Sequence, residues 1–101
     1  MASGFTVGQT VAGADTAISV TRDESVVWVE VGVFDDSADD VGIRIFSGGR
    51  LYQRSWLPYS GPGTYRCGID RKAAARIGGR WLARAFLDDA EVARKRFVIK
   101  R

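Results

Sequence analysis

The chain has 101 residues, 46% of them hydrophobic and 27% charged, which suits a single globular domain over residues 1–101 with one core. It has no histidine and one cysteine, so an intramolecular disulfide and histidine-based acid–base or metal chemistry are excluded. The formal net charge is +3, and no apolar run reaches the ~18 residues of a membrane-spanning helix.

Residues 1–13 read as a first strand, Phe5–Val11, or as an ordered arm, with no basic or long apolar stretch of the kind a signal peptide carries. Ala12–Asp15 is a turn. Thr16–Arg22 alternates, with Ile18 and Val20 on one face. Asp23–Ser25 turns into the strongest strand, Val26–Phe34, rich in β-branched residues. Val27, Val29, Val31 and Val33 share one face of it, and Val26, Trp28, Glu30, Gly32 and Phe34 share the other.

A polar loop, Asp35–Asp40, precedes the strand Val41–Phe46, with Val41, Ile43 and Ile45 inward and Arg44 outward. Ser47–Gly48–Gly49 is a tight hairpin turn, and Arg50–Leu57 returns from it. Pro58 to Gly63 is a loop, and Tyr65–Ile69 is a short strand. Lys72 and the alanine run 73–75 favour one or two helical turns near residues 71–77, ended by Gly78–Gly79. Strands Arg80–Leu87 and Glu91–Lys100 close the domain around the acidic turn Asp88–Asp89–Ala90. Seven or eight short alternating strands predict an all-β antiparallel sandwich.

Residues 1–48 hold two arginines against eight acids, and residues 49–101 hold thirteen basic residues against four acids. Such asymmetry predicts a basic binding face, complementary patches through which copies meet, or interleaved strands whose fields cancel. Arg44, Arg54, Arg66, Arg84, Arg94 and Arg96 fall on outward positions, where a basic ridge could contact phosphates or an acidic protein, or pair across strands with Glu30 and Glu91. Trp28, Phe46, Tyr52 and Trp56 fall opposite the valine and isoleucine rows, with Tyr59 in the next loop. They predict an interface, a second core face, or a stacking surface for sugar rings. The four aspartates of 35–40 could supply oxygens to Ca²⁺, although the spacing is not that of an EF-hand. Cys67 alternates with Tyr65 and Ile69, which predicts a buried, unreactive thiol.

Gly63–Thr64–Tyr65–Arg66–Cys67 resembles the G-x-Y-x-C stretch that opens an immunoglobulin F strand, without the second cysteine that would complete the bridge. The last 23 residues resemble bacterial immunoglobulin-like or fibronectin-like modules, through Gly79, Trp81, Ala83, Ala85, Leu87, Asp88, Asp89, Phe97 and Ile99. The resemblance implies an immunoglobulin-like sandwich and a binding or spacer module rather than an enzyme. The expected function is non-catalytic protein binding or assembly, as in a structural component of a phage virion or secretion system. Its location would be cytoplasmic or in the virion, with no cofactor and no membrane. The docking residues would be Trp28, Arg44, Tyr52, Arg54 and Trp56, and the partner another protein or a second copy. The alternative is a ligand-binding module for carbohydrate or for a polyanion such as nucleic acid.

Overall fold

Alternating β-branched residues make strands because the pleat sends successive side chains to opposite faces. The computed structural model describes residues 5–12, 16–33 and 39–100, with side chains from residue 18 onward. In chain order the elements are β1 Phe5–Ala12, β2 Thr16–Arg22, β3 Val26–Val33, β4 Asp40–Ser47, β5 Arg50–Pro58, β6 Gly63–Asp70, α1 Arg71–Ile77, β7 Gly79–Leu87 and β8 Ala90–Ile99. Phe34 and Asp35–Ala38, including most of the candidate calcium loop, lie outside the described residues.

The strands form two antiparallel sheets, one of five strands in the order β1-β8-β7-β4-β5 and one of three in the order β2-β3-β6. The sheets pack face to face. Val27, Val29, Val31 and Val33 of β3 and Val41, Ile43 and Ile45 of β4 are sealed between them. The central strand β7 presents Trp81, Ala83 and Ala85 to the same core. Trp81 is fully buried, stacks on Phe97 at 6.2 Å and donates its indole N–H to the Gly78 carbonyl at 3.0 Å. A buried indole N–H needs such a partner, so the contact fixes the ring as well as satisfying it.

The connections follow local chemistry. Gly48 and Gly49 have φ of +57° and +84°, the left-handed pair that a two-residue hairpin between β4 and β5 requires. Asp88, at φ +53°, turns β7 into β8. Its Oδ1 accepts the N–H groups of Asp39 and Asp40 at 2.9 and 3.1 Å, tying that turn to the entry of β4. The Asp23 carboxylate accepts N–H groups from Ser25 and Val26 and closes the β2–β3 turn. Asp70 caps α1 by accepting from the N–H of Ala73, and the helix carries the chain from the three-stranded sheet to the five-stranded one.

Cys67 faces the core from β6, and burial pushes its thiol above the ordinary value despite an opposing hydrogen bond from Ser55. The thiol is thus protonated and shielded, as the alternation around it predicts. Across the same seam the Gln53 side chain of β5 donates to the Gly68 carbonyl of β6 at 3.1 Å, joining the two sheets.

Trp81→Ala should remove the largest core side chain and lower stability by about 3–5 kcal/mol. Urea unfolding followed by circular dichroism would show a fall in unfolding free energy of that size.

Candidate binding face

The face of the five-stranded sheet that points away from the core has an unusual charge pattern. Register places Arg54 directly opposite Arg44, Arg44 opposite Arg84, and Arg84 opposite Arg94. Four arginines therefore form one row across β5, β4, β7 and β8, with neighbouring strands about 4.8 Å apart. Like charges facing one another across strands are destabilising.

Three local devices hold the row in place. Glu91 accepts from Arg84 Nε at 2.6 Å, from Arg84 Nη2, and from Arg94 Nε at 2.7 Å. Burial raises the Glu91 carboxyl, but the two arginine hydrogen bonds and their charges outweigh it and hold the group below the usual glutamate range. Phe86 lies on this outer side, yet it is only 6% exposed. The Arg44 guanidinium sits 4.3 Å above its ring and that of Arg84 5.6 Å away. The two guanidinium groups thus roof an aromatic ring that would otherwise face solvent.

The third device is a glycine. Trp56 of β5 is opposite Gly42 of β4, and a Cβ at Gly42 would meet the indole at 2.7 Å. The missing side chain lets the ring lie across the strand, where Arg44 stacks on it at 5.9 Å. Arg44 is therefore held between two rings, and its Nε is buried without a hydrogen-bond partner among the described residues. A buried guanidinium N–H without an acceptor is costly, and the two ring contacts offset part of that cost.

The same face holds a groove at its hairpin end, of about 770 Å³, open to solvent. Phe46, Leu82 and Val98 supply its apolar surface, and Arg80, Arg84 and Arg96 its basic groups. Arg80 and Arg96 are exposed. No described carboxylate pairs with either.

Of the five residues expected to dock a partner, this face brings together Arg44, Arg54 and Trp56. Trp28 is elsewhere. It points outward from β3, in the other sheet, so the sandwich separates it from Trp56. There it is half-buried, lying against Gly68 with Arg66 at 4.4 Å from its ring, and its indole N–H donates to Asp23 Oδ2 at 3.1 Å. Trp28 is already partnered within the domain and helps fix the β2–β3 turn. Tyr52 is also apart. An irregularity in the β4–β5 pairing lies between Ile45 and Phe46, with Tyr52 the unpaired residue opposite. Its ring packs edge-on against the core residue Trp81 at 5.0 Å. Arg66 joins Trp28 on the second face, opposite Glu30 in register. Tyr59 stacks on Tyr65 at 5.8 Å.

Gly42, Phe86, Arg80, Leu82 and Val98 were not singled out by sequence reasoning. Alternation carried a signal for Phe86, since an outward Arg84 sends residue 86 outward too. Nothing in the linear pattern marked Gly42, whose role depends on the ring of a neighbouring strand. Asp39 and Asp40 bind the Asp88 carboxylate through their backbone N–H groups. Among the described residues no group of three or more cysteines or carboxylates is placed to hold a metal ion, and no helix is long and apolar enough to cross a membrane.

The Glu91 ion pairs stabilise the fold above the ordinary glutamate value near 4.5 and lose their contribution as pH falls through the depressed folded value. Glu91→Gln should cost about 1–2 kcal/mol at neutral pH and flatten the dependence of the urea midpoint on pH below that value. Gly42→Ala should displace the exposed Trp56 ring rather than unfold the chain. Its indole emission should shift to the red, and stability should change by less than about 1 kcal/mol.

Comparison of the chain with protein-family models, with curated proteins and with solved structures finds no match.

Proposed function

We propose that this protein is a non-catalytic binding or assembly module of immunoglobulin-like or fibronectin-like form that docks an acidic protein partner through the outer face of its five-stranded sheet. One observation carries the reading: four arginines stand in a single cross-strand row, and the only described carboxylate bonded to any of them is Glu91. Folding alone gains nothing from placing like charges opposite one another. A partner's carboxylates would relieve the repulsion and supply bidentate acceptors to the guanidinium groups. The rings beside the row, above all the 43%-exposed Trp56, add the aromatic component typical of interface anchors.

The strand order supports the immunoglobulin-like form. If β2, β3, β4, β5, β6, β7 and β8 are lettered A, B, C, C′, E, F and G, the sheets read ABE and C′CFG, with β1 added beside G. In that lettering Gly63–Cys67 falls on E, so the G-x-Y-x-C resemblance to an F strand is one of sequence only. The nine-residue edge strand β5 offers unpaired backbone groups beside the arginine row, a place for strand addition. A lone buried thiol accords with assembly in the cytoplasm or in a virion.

A second reading, polyanion binding, is favoured by the exposed Trp56 ring beside arginines, since bases stack on such rings. Fluorescence anisotropy with labelled oligoglutamate and labelled oligothymidylate separates the two. Oligoglutamate should bind at low salt, weaken as salt rises, and bind at least about tenfold more weakly to the double variant Arg44→Glu/Arg54→Glu. No oligoglutamate binding, or equal binding by the variant, would overturn the proposal. Tighter binding of oligothymidylate with the same sensitivity to the variant would establish the polyanion reading instead.

A further inference from the structure

The arginine row explains attraction but not selectivity, because any acidic surface would satisfy it in part. Selectivity needs a feature that one partner sequence fits and others do not. The groove at the hairpin end of the same face supplies one.

Along β7 the outward residues are Arg80, Leu82 and Arg84, with the core residues Trp81 and Ala83 between them. Leu82 is directly opposite Phe46 on β4 and Arg96 on β8, and Arg80 is opposite Val98. An apolar patch of Phe46, Leu82 and Val98 is thus bracketed by basic groups at both ends of one strand. Arg84 spends Nε and Nη2 on Glu91, and its Nη1 hydrogens remain for another acceptor. The hairpin wall is low, because a side chain at Gly48 or Gly49 would meet nothing within 4 Å. A partner strand can therefore enter over the turn.

Same-face residues of a strand repeat every ~6.6 Å. An extended segment laid over β7 presents its own same-face residues at that interval. A sequence of acid, any residue, apolar residue, any residue, acid would set one carboxylate over Arg80, its apolar side chain between Phe46, Leu82 and Val98, and the second carboxylate over Arg84. Burying an apolar anchor while pairing charges on either side is the usual composition of an interface hot spot with a polar surround. The groove volume, about 770 Å³, accommodates a large aromatic anchor.

We infer that the groove formed by Phe46, Leu82 and Val98 recognises an extended acid-x-apolar-x-acid segment of an acidic protein partner, an inference that rests on the acidic-partner reading above. The anchor supplies selectivity and the arginine row supplies long-range attraction.

The test uses three labelled peptides of equal length and charge. One contains Glu-Ser-Phe-Ser-Glu, one replaces the phenylalanine with serine, and one keeps the composition but shuffles the order. Anisotropy titrations should give at least about tenfold tighter binding for the first than for the other two. Leu82→Ser should abolish that preference. Val98→Ser, at an exposed position with little effect on folding expected, should reduce it independently. Arg54→Glu, at the far end of the row, should weaken all three peptides alike and leave their ratio intact. Equal binding of the three peptides, or a preference that survives both Leu82→Ser and Val98→Ser, would overturn the groove inference while leaving acidic docking standing. No binding by any of the three would overturn both.

Discussion

Two facing rows of branched aliphatic side chains, one from β3 and one from β4, are the constraint on which this molecule depends. They meet with essentially no solvent access, so every alternate residue on those strands is forced to the outside. A sandwich this small has little other space for polar groups. The arginines of the basic C-terminal half lie largely on β5, β7 and β8, and those strands, with β4, share one sheet. The outward side of that sheet becomes basic because its inward side is given over almost entirely to the apolar core.

The arginine row then creates a problem that its neighbours solve only in part. Glu91 neutralises one charge between Arg84 and Arg94. Phe86 and Trp56 offer their ring faces to guanidinium groups, an attraction of about 0.5–2 kcal/mol each. These contacts also fix the side chains, so the row is held in a defined arrangement rather than splayed into solvent. Ordering arginines before a partner arrives lowers the entropy cost of meeting one. Residual positive charge and partial pre-ordering are the two features on which the docking role proposed above rests.

Tryptophan–glycine pairs recur on the two outer faces. Trp56 lies over Gly42, and Trp28 lies against Gly68. In each case an arginine two residues along the glycine's strand stacks on the indole, Arg44 in the first and Arg66 in the second. The outcomes differ because of the turn chemistry nearby. Asp23 captures the Trp28 indole N–H and draws the ring into the domain, whereas Trp56 stays substantially exposed. One pair serves the β2–β3 turn, and the other leaves a ring beside the arginine row.

Most of the fold was legible in the linear chain. Period-two alternation, the Gly48–Gly49 and Asp88–Asp89 turns and the alanine run marked the strands, hairpins and helix to within a residue or two, because each depends on local backbone and side-chain preferences. The inward rows and the buried Cys67 followed from the same periodicity. What only the tertiary structure decided was which strands became neighbours. Alternation states that a side chain points outward, but a sandwich has two outsides, and pairing across long sequence separations assigns each strand to one of them. That choice put Trp28 on the opposite side from Trp56, and an irregularity in the β4–β5 pairing turned Tyr52 towards Trp81. It also set Arg54, Arg44, Arg84 and Arg94 in one row, although the first two lie at least 30 positions along the chain from the last two. Cross-strand register is a non-local property, set by the packing of the whole core, and no local preference of those arginines could have announced it.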